Sequence, residues 1–142
     1  MTWPHSFEQR LLAWNALRHS VAQQPLDQAL HAINLWWQRT PWQPYYLHWD
    51  DLSDWPDPWQ LLNDNIFCDV ARALGIMYTI TMLDRSDVTD LQMVETKNYN
   101  LVLVEQGKYI LNCQDDQILN TNFETSTIRR TLTHSEVLQK LK

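Results

Sequence analysis

The sequence predicts an α+β protein, helices first and an antiparallel meander after them, and three observations predict it. Apolar residues recur at helical spacing through the first forty residues. Breaker-free runs rich in β-branched and aromatic residues follow Gly75. Gln106-Gly107 then sits between two such runs, where a tight hairpin needs positive φ. A length of 142 residues and 17.0 kDa suits one domain spanning 1–142, with a single core.

Ser6-Phe-Glu-Gln9 has the form of a capping box and opens a first helix of about fifteen residues, with Phe7, Leu11, Trp14, Leu17 and Val21 along one stripe. Gln23-Gln24-Pro25 breaks it, and Leu26, Ala29, Leu30, Ile33, Trp36 and Trp37 mark a second helix. The short connection makes residues 1–39 a helical hairpin.

Residues 40–59 are a different polymer. Pro41, Pro44, Pro56 and Pro58 exclude a regular helix, and Trp42, Tyr45, Tyr46, Trp49, Trp55 and Trp59 crowd the segment. Aromatic loops of this kind either pack down on their own rings or bind partners. The spacing of His48 and Asp50 suits a pair of metal ligands, but a hard-cation loop also wants a glycine for its turn, and none is present. Turn and cap duty is therefore assigned to Asp50, Asp51, Asp54 and Asp57, and no metal is expected.

Asp57-Pro58-Trp59-Gln60 reads as a helix start, with a capping aspartate and proline at the first helical position. The helix is expected to span 57–75, to carry Cys68, and to stop at Gly75 in a left-handed cap. Asn63-Asp64-Asn65 is a point at which it can break and restart with Cys68 in its first turns. Residues 76–132 are expected to form the sheet: Ile76–Leu83 as a buried strand, then Leu91–Thr96, Leu101–Glu105 and Lys108–Asn112, with edge strands near Ile118–Leu119 and Ser126–Leu132. Thr133-His-Ser-Glu136 is a second capping box and opens a terminal helix over 133–142. The expected architecture is an N-terminal helical hairpin and a Cys-bearing helix packed on an antiparallel β-sheet.

Composition excludes several function classes. The 11 Lys+Arg against 17 Asp+Glu give a net charge of −6 and no basic face, which argues against nucleic-acid binding. Only Gly75 and Gly107 exist, so neither a P-loop nor a dinucleotide fingerprint can be written, and no cofactor is expected. No apolar window suits a membrane span and the N-terminus shows no signal peptide. Cys68 and Cys113 form no CxxC pair and read as two reduced thiols.

Cys68-Asp-Val-Ala-Arg-Ala-Leu-Gly-Ile-Met-Tyr-Thr-Ile resembles the cysteine helix of transglutaminase-like, papain-related proteins. That resemblance covers about residues 57–115 and implies a thiol nucleophile on the helix, a histidine on one strand and an aspartate on its hairpin partner. Here Asn98 or Asn100 stands at the histidine position, and Asn112 or Asp115 at the aspartate position. Asparagine cannot take a proton at neutral pH, so the general base is missing. After Cys68 the only histidine is His134, at the start of the last helix, while His5, His19, His31 and His48 precede it; His48 is the one that the loop could fold onto Cys68. The run Leu47-His-Trp-Asp-Asp-Leu, with Trp55-Pro-Asp-Pro-Trp59 and Asn65-Ile-Phe-Cys68, also resembles short proteins of tailed bacteriophages.

Two function classes fit these residues. One is a non-catalytic structural or assembly protein, implied to be a phage virion component of tail, baseplate or neck, in virion or host cytoplasm. It would bind other proteins, and neither nucleic acid nor membrane, through Trp42, Tyr45, Tyr46, Trp49 and Trp55. The other is a thiol enzyme, an amidase or acyl-transferase, with Cys68 as nucleophile and His48, Asn100 and Asn112 around it.

Overall fold

The computed structural model describes residues 3–44, 46–114, 117–119 and 128–141. Its elements run α1 (Phe7–Val21), α2 (Leu26–Gln38), a 3₁₀ stretch (Trp49–Asp54), α3 (Pro58–Asp64), α4 (Asp69–Leu83), β1 (Leu91–Glu95), β2 (Asn100–Val104), β3 (Tyr109–Gln114), β4 (Gln117–Leu119), β5 (Arg130–Thr133) and α5 (His134–Lys140). The class is α+β: helices packed on an antiparallel sheet of strand order β4-β3-β2-β1-β5.

Local signals explain the element ends. The Ser6 hydroxyl accepts the Gln9 N–H at 3.1 Å, and the Asp57 carboxylate accepts the Gln60 N–H at 2.8 Å. Thr133 and Glu136 close the reciprocal capping box of α5. Between β2 and β3 the Lys108 N–H bonds the Glu105 carbonyl across Gln106 and Gly107, whose φ values of 59° and 87° are the positive pair a type I′ turn requires.

Three expectations are corrected. Ile76–Leu83 is not a strand: it is the second half of α4, and the sheet begins at Leu91 rather than Ile76. The run is apolar on every side because the helix is buried on every side, from Val70 to Thr81 with only Arg72 half-buried. Periodicity alone cannot separate such a helix from a buried strand. Nor is Gly75 a helix cap. It lies inside α4 against α2, where a β-carbon would overlap the Trp37 ring, so glycine there is a notch for an indole. The expected helix over 57–75 is two helices, broken within Asn63-Asp64-Asn65 as that run allows: Asn65 takes the left-handed conformation (φ 56°) that ends α3, and the chain restarts with Cys68 as the cap of α4.

Around this notch the core is matched atom to atom. The Thr79 hydroxyl accepts both the Trp14 and the Trp37 indole N–H at 2.9 Å and donates to the Gly75 carbonyl at 2.8 Å. Cross-strand rows continue the packing: Met93 stands opposite Val102 and Leu132, and Val102 opposite Leu111, all buried in the core that α4 occupies. Val94, Leu101, Leu103 and Ile110 form a second buried cluster, with Cys113 and Ile128 packed on it. Asp115, Asp116, Tyr45 and the start of the expected strand at Ser126 lie outside the described residues.

Candidate functional site

The left-handed turn at Asn65 lets the chain reverse and begin α4 at Cys68, whose extended backbone (φ −90°, ψ −179°) is that of a helix N-cap. Its side chain makes no capping bond to the helix. The thiol instead accepts the Leu47 N–H at 3.4 Å, which ties the aromatic loop over the start of α4. A second tie holds the same loop: Trp42 and Phe67 form a parallel bridge, and the Gln43 N–H bonds the Phe67 carbonyl at 2.9 Å.

The sheet delivers Asn100 on β2 and Asn112 on β3 to this point. Asn112 has φ 66°, in the left-handed region that asparagine tolerates, within the irregular register between β3 and β4. Its side-chain amide donates to the Asn100 carbonyl at 2.8 Å and to the Asp69 carbonyl at 3.0 Å. Its side-chain oxygen accepts Gln38 at 2.6 Å, and its backbone N–H donates to Asn34 at 2.9 Å. Asn112 is thus a knot joining α2, α4, β2 and β3. The Asn100 side-chain oxygen accepts the Trp49 indole at 2.8 Å.

Two clefts adjoin here and share Asp69 and Asn100. One, of about 260 Å³, is walled by Trp42, Pro44, Leu47 and Val70 and has Cys68 in its lining. The other, of about 140 Å³, opens past Asn112 towards Asn98, Tyr99 and Arg72. Arg72 is held by the Thr40 hydroxyl at 2.9 Å and the Thr40 carbonyl at 2.7 Å. Cys113 also lines this cleft, and burial pushes its thiol up from the ordinary value.

Cys68 and Asn100 line one cleft with Trp42, and Asn112 reaches Asn100 and Asp69 from the adjoining one. His48 is exposed, with its carbonyl accepting the Trp55 indole at 2.8 Å, while the wall beside the thiol is built from its neighbour Leu47. His134 is the first residue of α5. Among the aromatics, Trp42 is 56% exposed, whereas Trp49 and Trp55 are buried and pack edge to face at 5.1 Å. Those two rings hold the loop down; they do not face outwards.

Tyr46 is half-buried and donates its hydroxyl to Asp64. Burial first, then Asp64 and the nearby Cys68, push its hydroxyl well above the usual phenol range, so it stays a donor. The Tyr46–Asp64 pair leaves no local signal in the sequence, because it joins the aromatic loop to the last residue of α3, eighteen positions on. Asp50 pairs with Arg130 at 2.8 Å. Among the described residues no group of three or more His, Cys, Asp or Glu is arranged to hold a metal, and no helix is long and apolar enough to cross a membrane. No protein-family model matches the chain, and no curated protein matches it.

Proposed function

We propose that this chain is a non-catalytic structural or assembly protein that binds other proteins, and that its setting is the virion of a tailed bacteriophage, as part of a tail, baseplate or neck. The observation that carries the proposal is the surroundings of Cys68. Asn100 lines the cleft of the thiol and Asn112 lines the adjoining one, both committed to hydrogen bonds with the protein itself. Neither can accept a proton at neutral pH, so neither can serve as the base that a thiol nucleophile needs. A helix-borne cysteine facing two strand residues resembles the transglutaminase-like arrangement with its base replaced, which suits a fold reused for binding. The exposed ring of Trp42 beside an open cleft supports the binding role. The phage setting rests on the resemblance of the 47–68 run alone.

One observation favours a thiol enzyme as the second possibility: Cys68 stands at the start of a fifteen-residue helix and lines an open cleft. The test compares Cys68→Ala with Trp42→Ala in the native host extract by size exclusion and electron microscopy. The protein is expected within a larger particle, Cys68→Ala is expected to stay there and function, and Trp42→Ala is expected to be released. A folded Cys68→Ala protein that loses function while Trp42→Ala keeps it replaces the binding proposal with the enzyme.

A further inference from the structure

The double cleft over the first turn of α4 carries an exposed carboxylate. Asp69 lines both lobes, is exposed, and its carboxylate makes no hydrogen bond or ion pair among the described residues. The other charged lining group, Arg72, belongs to the polar lobe, where the Thr40 hydroxyl and carbonyl hold it; in the apolar lobe Asp69 is the one charged residue of the lining. A small anion is therefore not what this helix start suits, because a carboxylate already stands in its first turn. Aromatic side chains mark both ends: Trp42 at the apolar lobe and Tyr99 at the polar one, 56% and 47% exposed. At the junction, the Asn100 side-chain oxygen is occupied by Trp49, which leaves its amide N–H groups as donors.

We propose that this double cleft seats an extended segment of a partner protein, with a lysine or arginine of that segment paired to Asp69 and an adjacent apolar residue lying on Trp42. The inference rests on the binding role proposed above and adds the chemistry of the occupant. Two adjoining lobes call for a ligand longer than one side chain. Donors at Asn100 match the carbonyls of an extended backbone, and the carboxylate between the rings selects a cation. The net charge of −6 attracts a basic partner to the surface as a whole.

The test titrates the full chain with capped synthetic peptides that share glycine-serine flanks and carry Leu-Lys, Leu-Arg, Leu-Gln or Leu-Glu at the centre. Binding is read by calorimetry and by the NMR shift of the Asn100 side-chain amide. The Leu-Lys and Leu-Arg peptides are expected to bind and to move that signal, and the Leu-Glu peptide to do neither. Asp69→Asn is expected to weaken the basic peptides by about threefold to fivefold, as for an exposed ion pair. Asp69→Glu should retain them, and Asp69→Lys should shift the preference to the Leu-Glu peptide. Trp42→Ala is expected to cost about thirtyfold. Thermal melts of each variant check that it folds. No binding of any peptide at millimolar concentration, no preference for a basic centre, or a preference that survives Asp69→Lys overturns the proposal. If Trp42→Ala still releases the native particle while the peptides show no charge preference, this occupant is wrong and the binding role stands. Turnover of a peptide that Cys68→Ala abolishes defeats the binding role itself.

Discussion

The middle of α4 and its first turn follow opposite rules. At Gly75 and Thr79 each polar atom has its partner: one hydroxyl serves two buried indoles and a carbonyl, and a missing side chain makes room for Trp37. At the start of the helix, buried Cys68 makes no capping bond as the N-cap, and exposed Asp69 turns a carboxylate to an open cleft. Saturated polar groups and close packing mark a part built for stability. Polar groups left over on a fixed frame mark a part available to something else. The contrast also divides the resemblance in two. Its most specific stretch, Ala71-Arg-Ala-Leu-Gly-Ile76, lies mostly in the packed middle, whereas Asn100 and Asn112 stand on the strands beside the open end.

The contrast is broken most severely by filling the notch. Gly75→Ala should destabilise the protein by about 3 kcal/mol, since a β-carbon there must displace the Trp37 ring, which is fully buried and bonded to Thr79. Denaturant midpoints measure this, and a change within about 0.5 kcal/mol would mean that α2 and α4 are not pressed together as described. Next comes Thr79→Val, which keeps the shape but leaves two buried indole N–H groups without an acceptor. A loss of about 2 kcal/mol is expected, and the same Thr79→Val change should cost less in a Trp14→Phe background, where one of the two donors is already gone. Smaller still is Asp57→Ala, which removes the cap of α3 and should cost about 1 kcal/mol in the same assay. At the other end of the comparison, Asp69→Asn should shift stability by no more than about 0.5 kcal/mol, as for an exposed residue away from the core.

How much of this was legible depends on how local each signal is. The caps at Ser6, Asp57 and Thr133 and the Gln106-Gly107 turn are written within four residues, and the structure places each where the sequence indicates. Ile76–Leu83 was misread because β-branched residues in an apolar run suit a strand equally well, and only burial on all sides makes a helix of them. Gly75 carried a local signal for a cap, while the reason for it, Trp37, is distant in the chain. The aromatic loop shows the same limit. Nothing in the sequence separates Trp49 and Trp55, which pack on each other, from Trp42, which faces out. The cleft that Cys68 shares with Asn100 joins distant elements, and the left-handed backbone at Asn112 beside it leaves no local signal in the sequence.

The central claim is that Cys68 lacks the partners that would make it a nucleophile. Iodoacetamide labelling at about pH 6, with free cysteine competing in the same tube and Cys68 followed by peptide mass spectrometry, tests it most directly. Cys113 serves as the internal control. With Asn100 and Asn112 in place of a base, Cys68 should label no faster than free cysteine. Labelling about a hundredfold faster than free cysteine, abolished in a folded Cys68→Ala protein, would contradict the account and make the cleft an active site.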